Sequence, residues 1–280
     1  MLKLKLIKVI TRFSRNLGLA AILCSVSIFG IINVAKSAEL NVRLGEDFTT
    51  LDPAFWQSGA DFTMINVLFP KLIEFKSGSD WEYELQAAES IEQVDELTIK
   101  FKLKPGLMWT GDYGEVTTED VKYSYERYID PELASPIIGD WLPLKEVEIV
   151  DKYSGIIHLK EPFAPIWWST LPYSSGAIVS KKATEKAGGK FTTDPGATAG
   201  AYKIETWVPR EKTVLVPHDG WNGPKAGFEK ITILPIQEPK SAEIAFEAGE
   251  IDITEISIGS VPNFRKSLPA GGVLDVRPTA

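Results

Sequence analysis

The chain's only cysteine, Cys24, lies inside an apolar leader, and this constrains the fold more than any other feature. Residues 1–16 carry Lys3, Lys5, Lys8, Arg12 and Arg15 and no acid. An apolar run of 19 residues follows, from 17 to 35, and small residues stand at Ser37 and Ala38 just before Glu39. A basic start, an apolar middle and a small-residue exit make a secretory signal peptide. Cleavage is expected after Ala38, with Ala35 as the second choice because Lys36 fits poorly two residues before the cut. Two other readings of the stretch stay open. The apolar run is long enough for an uncleaved membrane anchor, and Cys24 is a candidate for a lipid anchor, although Ala21-Ile22-Leu23 before it is not a small-residue pattern. An exported chain that leaves its cysteine in the leader has no disulfide to form. Its remaining ~240 residues must be held by a large hydrophobic core.

Removal of the leader also changes the charge. The segment holds six of the 30 Lys and Arg and none of the 38 acids, so 24 basic residues face 38 acidic ones, a net −14. Phosphate binding needs a concentrated positive surface, so a nucleic-acid partner is disfavoured. A chain that avoids anionic lipid and nucleic acid fits this balance better.

Beyond the leader, short strands alternate with helices. Residues 40–44 alternate apolar and polar and read as a strand. Residues 61–72 read as a helix with Asp61 as N-cap and Ile65, Leu68, Phe69 and Leu72 on one face. Residues 90–94 and 97–103 form a hairpin in which Leu97, Ile99, Phe101 and Leu103 share a face. Thr117 and Asp120 form a capping box for a helix whose stripe is Val121, Tyr125 and Tyr128. Strands are predicted at 147–150 and 156–159, a short helix at 164–171, and a helix at 180–187 ended by Gly188-Gly189. A second hairpin is predicted at 201–207 and 213–216, a buried strand at 231–236, a helix at 240–248 and a strand at 251–253. Residues 271–280 read as entering a strand without a closing element, as in a chain cut in mid-domain.

Several stretches together resemble the extracellular solute-binding proteins of the oligopeptide, dipeptide and nickel class (family 5, the substrate-binding proteins of ABC importers). Leu51-Asp52-Pro53-Ala54, ahead of a helix ending Leu68-Phe69-Pro70-Lys71-Leu72-Ile73-Glu74-Phe75, is similar to that family's opening. The run from Leu97-Thr98-Ile99-Lys100-Phe101 to Pro105-Gly106-Leu107-Met108-Trp109 resembles its hairpin, and Thr117-Thr118-Glu119-Asp120-Val121 the helix after it. Ala199-Gly200-Ala201-Tyr202-Lys203, Asp219-Gly220-Trp221-Asn222-Gly223-Pro224, Phe228-Glu229-Lys230-Ile231 and Ala248-Gly249-Glu250-Ile251-Asp252 close the pattern. Each piece alone is weak; in this order and spacing they cover nearly all of residues 40–255. Ala201 stands where the family often has Pro and His218 where it often has Asn, and family members are roughly twice as long.

The resemblance implies an α/β, two-lobed periplasmic-binding-protein-like fold (class II, peptide-binding type), truncated here within the second lobe. Lobe I would take residues 39–80 and 190–256, an inserted subdomain 81–189, and the start of lobe II 257–280, after the signal peptide 1–38. It implies a periplasmic monomer that captures a peptide or other small solute and delivers it to the permease subunits of an ABC importer, with separate ATPase subunits. Ligand bridging two lobes stabilises the closed form, because only then do both walls touch it. The chain has no G-x-x-x-x-G-K-[ST] phosphate loop, and no cofactor is expected. The candidate ligand wall is Trp56-Gln57-Ser58-Gly59-Ala60-Asp61, which resembles the stretch where main-chain groups of the dipeptide branch meet the ligand. The plainer alternative is a surface turn with Asp61 as a helix cap. Trp168, and behind it Trp141 and Trp207, offer flat faces that suit sugars and apolar side chains.

Enzyme readings find little support. The two histidines, His158 and His218, stand in an expected strand and a turn, and no H-E-x-x-H, C-x-x-C or G-x-S-x-G occurs. Glu46 and Asp47, or Glu119 and Asp120, are more simply solvated or capping than a glycosidase pair. No metal site is expected; bare nickel would find few ligands, though a chelated metal remains open beside oligosaccharide and opine-like cargo. A solute sensor built on the same fold is the remaining alternative.

Overall fold

The computed structural model describes residues 38–78 and 81–276, so the leader lies outside the described residues. Strand β1 (Glu39–Leu44) is followed by helix α1 (Gly59–Leu68) and a short hairpin, β2 (Ile73–Phe75) and β3 (Tyr83–Leu85). Next come β4 (Ala88–Asp95), β5 (Thr98–Leu103), helix α2 (Thr118–Glu126), β6 (Leu144–Ile149) and β7 (Ser154–Leu159). Helix α3 (Lys181–Lys186), β8 (Tyr202–Val208), β9 (Lys212–Pro217), β10 (Lys230–Pro235), α4 (Pro239–Glu247) and α5 (Val261–Lys266) complete the order.

Two four-stranded sheets organise these elements. One runs β1-β10-β9-β8, with β1 parallel to β10 and the rest antiparallel. The other runs β4-β5-β7-β6 and is antiparallel throughout. Alternation explains β5: Ile99, Phe101 and Leu103 are buried while Lys100 and Lys102 face solvent. Leu97, expected on the same face, is exposed, because it belongs to the turn, where its N–H is held by Asp95 Oδ1 at 2.8 Å.

Helix α1 buries Met64, Ile65 and Leu68 completely, each worth about 1.5–3 kcal/mol of removal from water. It stops at Leu68, not at residue 72, because Phe69 precedes Pro70 and takes an extended conformation (φ −118°, ψ 138°). The chain returns to this end at Gly200, whose N–H donates to Leu68 O at 2.8 Å. A Cβ at Gly200 would lie 2.1 Å from the Val67 carbonyl oxygen, so only glycine allows the approach.

Helix α2 starts at the expected box: Thr117 and Asp120 cap reciprocally, and Val121, Tyr125 and Tyr128 are buried, with Tyr128 in a 3-10 turn beyond the helix. Residues 164–171 supply only a 3-10 turn (Ala164–Trp167). Helix α3 ends at Gly188 and Gly189, both at positive φ. In β10 only Ile233 is buried, so the strand is half covered rather than enclosed. Residues 251–253 form no strand: Val42 and Ile253 make an isolated parallel bridge on the free edge of β1. The described residues 271–276 hold no strand either, and the expectation for 277–280 lies outside the described residues.

Candidate functional site

The loop joining β1 to α1 is built around two buried acids. Asp61 sits three residues inside the cap, not at it: Ser58 is the N-cap, its hydroxyl accepting the Asp61 N–H at 3.1 Å. The Asp61 carboxylate then gathers four main-chain N–H groups. Oδ1 accepts from Thr49 (2.7 Å) and Thr50 (3.1 Å), and Oδ2 from Gln57 (3.1 Å) and Ser58 (3.2 Å). Asp61 is fully buried, so its charge shapes the loop from beneath.

Asp52, also fully buried, meets Arg127 in a paired contact, Nη1 to Oδ1 at 2.6 Å and Nη2 to Oδ2 at 2.9 Å. Burial alone would lower the Arg127 pKa, but the Asp52 carboxylate outweighs it and raises it. The same pair reaches a third segment: Arg127 donates to Gly189 O at 2.8 Å, and Asp52 Oδ2 accepts from the Phe191 N–H at 3.3 Å. Leu51 N–H donates to Thr192 O at 2.7 Å. Residues 49–61 are thereby fixed against 189–192.

Gln57 and Gly59 are exposed, Ser58 is half-buried and Ala60 is buried. Among the described residues no acceptor meets the N–H of Gly59 or Ala60, the first two of α1. A Cβ built on Gly59 would meet nothing within 4 Å, so the loop is open there. Trp56 is half-buried and packs edge-on against Phe62 (5.8 Å), which touches Tyr173 (4.8 Å). Beside the loop lies a pocket of ≈ 540 Å³, lined by Thr49, Phe55 and Gln57 on one side and by Lys190, Phe191 and Thr192 on the other.

Of the tryptophans, Trp168 is 48% exposed, but no hydrogen bond or ring contact joins it to residues 56–61 among the described residues. Its neighbour Trp167 stacks on Tyr83 (5.5 Å, 20°) and donates to Gln93 at 2.9 Å. Trp141 is a core residue and offers no face: it stacks on Tyr125 at 4.1 Å and its N–H donates to Ser175 O. Trp207 packs on Phe48 at 4.7 Å with its N–H on Asp47. His218 is buried with Nδ1 3.1 Å from Gly200 O, and burial pushes its pKa down. His158 faces Glu148 at 2.9 Å within the sheet. No group of three or more His, Cys, Asp or Glu suited to a metal ion occurs among the described residues, and none of their helices is long and apolar enough to cross a membrane. Lys190 and Thr192 carry no linear motif; the Asp52–Arg127 pair, the Phe191–Asp52 bond and the Leu51–Thr192 bond bring them to the loop.

Residues 82–272 match the model of the bacterial extracellular solute-binding proteins, family 5 (middle region). The periplasmic oligopeptide-binding protein OppA of Escherichia coli is 29% identical over 81% of this chain and 45% of its own length. The binding protein MoaA of A. tumefaciens, solved with mannopinic acid, is 30% identical at a TM-score of 0.71, over 77% of this chain and 44% of its own. The periplasmic binding protein DppA of Helicobacter pylori, solved with the peptide STSA, is 25% identical at a TM-score of 0.72, over 83% and 50%. The architecture is thus that of the two-lobed periplasmic peptide-binding class. The chain spans about half the length of the curated relatives it matches.

Proposed function

The chain belongs to the bacterial extracellular solute-binding proteins of family 5, and from that membership we propose that it supplies one wall of the solute cleft of an ABC importer's substrate-binding component. The cargo is a peptide or a similar small solute, received in the periplasm and passed to the membrane permease by a monomer with no catalysis of its own. The relatives support this reading: they include binding proteins for oligopeptides and murein peptides and a probable one for D,D-dipeptides. In the same reading the sheet β1-β10-β9-β8 belongs to lobe I and the sheet β4-β5-β7-β6 to the inserted subdomain. The facing wall comes from the part of a family member that this chain does not span.

The observation that carries the proposal is the main chain of 57–60. It is held from beneath by Asp61 and leaves the N–H groups of Gly59 and Ala60 without acceptors among the described residues, Gly59 standing at an open surface. Peptide main chain presents carbonyl acceptors at regular spacing, so such a loop binds it without reading side chains. Trp168 adds an exposed flat face for a flanking group. A single wall binds weakly, so the test is site-resolved. ¹H–¹⁵N spectra of the chain titrated with trialanine should show saturable shifts at Gly59 and Ala60 in the millimolar range (K of ~10³ M⁻¹ or below). Gly59→Val places its side chain in open space and should keep the fold while weakening the response about tenfold. An unchanged response removes the loop from the site.

A further inference from the structure

The family match assigns no role to the pocket beside the loop, yet its charge pattern is specific. Lys190 is the only ionised residue in the lining of a chain that carries 38 acids. Its side chain is exposed, and among the described residues no carboxylate pairs with it. The two acids behind the wall are already committed, Asp52 to Arg127 and Asp61 to four main-chain N–H groups. Phe55 and Phe191 give the pocket an apolar floor, and Gln57 and Thr192 supply neutral polar groups.

The lysine is also carried on a fixed segment. Gly189 before it accepts from Arg127, Phe191 after it donates to Asp52, and the Thr192 carbonyl accepts from Leu51. A surface lysine on a loose loop would lose conformational freedom to hold an anion; here the main chain on both sides is already placed, so less remains to be ordered on binding. A volume of ≈ 540 Å³ admits a group of amino-acid size.

We infer that this pocket takes the carboxylate-bearing end of the captured solute, with the carboxylate on Lys190 and its apolar neighbour on Phe55 and Phe191. The inference rests on the reading that the adjoining loop faces solute. A cationic end would meet the ammonium, and a neutral sugar would leave it without a counter-ion. A peptide C-terminus and a sugar acid share the carboxylate; the phenylalanine floor favours the former.

The test uses the whole chain and three probes: N-acetylphenylalanine as its carboxylate, the matching carboxamide, and gluconate. Amides of Gln57, Lys190 and Thr192 should shift with the first probe. The carboxamide should bind about fivefold more weakly, as expected for one ion pair at an open site. Lys190→Met should abolish that difference and Lys190→Arg should keep it. Equal affinity for acid and amide overturns the inference, as does discrimination that survives Lys190→Met. Gluconate binding as tightly as acetylphenylalanine removes the apolar floor from the account and overturns it too. If these fail while trialanine still shifts Gly59 and Ala60, the proposed function stands; loss of both responses sinks both.

Discussion

Asp61→Asn is a nearly isosteric change that should cost far more than its size implies. In the wild type each carboxylate oxygen accepts two main-chain N–H groups, Thr49 and Thr50 on Oδ1, Gln57 and Ser58 on Oδ2. The asparagine amide keeps one oxygen and replaces the other by NH2. Whichever way it is turned, two main-chain donors then face a donor. A buried donor left unmet costs about 1–3 kcal/mol, and the two retained bonds lose their charge assistance. Screening by nearby water lowers the sum, because Gln57 and Ser58 are only partly covered. The expected loss is about 2–4 kcal/mol. With a urea m-value of about 2 kcal/mol/M, the midpoint should fall by about 1–2 M at unchanged m. Asp61→Ala should lose a similar amount, since the amide rescues little. Gln57→Ala, at an exposed side chain in the same loop, should stay within about 0.5 kcal/mol. Hydrogen exchange should quicken first at Thr49, Thr50, Gln57 and Ser58. An Asp61→Asn protein within about 0.5 kcal/mol of wild type would show that the carboxylate does not hold the loop.

Three further outcomes are expected. Arg127→Met strands the Asp52 carboxylate in a fully buried position and should cost about 3–5 kcal/mol by calorimetry, with Asp52→Asn on top restoring part of it; a cost under 1 kcal/mol would show the pair to be hydrated. Gly200→Ala drives a Cβ to 2.1 Å from Val67 O and should lose about 3 kcal/mol or fail to accumulate; wild-type stability would contradict the close approach. Burial holds the Lys71 ammonium down to about 8 from 10.5, although Glu74 opposes this. The unfolded chain then binds more protons between those values, so stability attributable to Lys71 rises with pH across that window. The wild-type minus Lys71→Met difference should climb by up to about 3 kcal/mol from pH 7.5 to 10.5; a flat or falling difference refutes the sign.

Local chemistry was legible in the sequence where its partners lie within a few residues. The Thr117–Asp120 box and the Gly188-Gly189 stop are both where spacing puts them. The Ser58–Asp61 box has the same spacing, yet Asp61 reads as the cap because aspartate is itself a good one. Only the carboxylate's reach back to Thr49 and Thr50 shows it three residues inside. Leu72 continues the helical spacing of the apolar face in the sequence, but it is buried beyond the Pro70 break. Residues 251–253 carry strand composition and find only one bridge. The family resemblance was carried by short motifs spread over the chain, and the family match over 82–272 agrees with it. The site itself was less legible. Arg127 and Asp52 are 75 positions apart, Lys190 has no motif, and nothing in Trp141 or Trp168 tells a core ring from an exposed one.

The two buried acids divide one task. Asp52 ties the loop to α2 and to residues 189–191 through Arg127, which fixes where the loop stands. Asp61 folds the loop on itself, which fixes how its main chain is turned. Neither carboxylate has a lone pair to spare for a solute, so the surface offered to one centres on exposed Gly59, with Lys190 in the adjoining pocket. A wall ordered before the solute arrives saves the cost of ordering it on binding. It also separates two kinds of substitution. Changes at Asp52 and Asp61 should act on stability and on every solute alike. Changes at Lys190 should leave stability within about 0.5 kcal/mol and alter only which solute end is preferred. Finding both effects at the same residue would mean that scaffold and recognition are not separable in this loop.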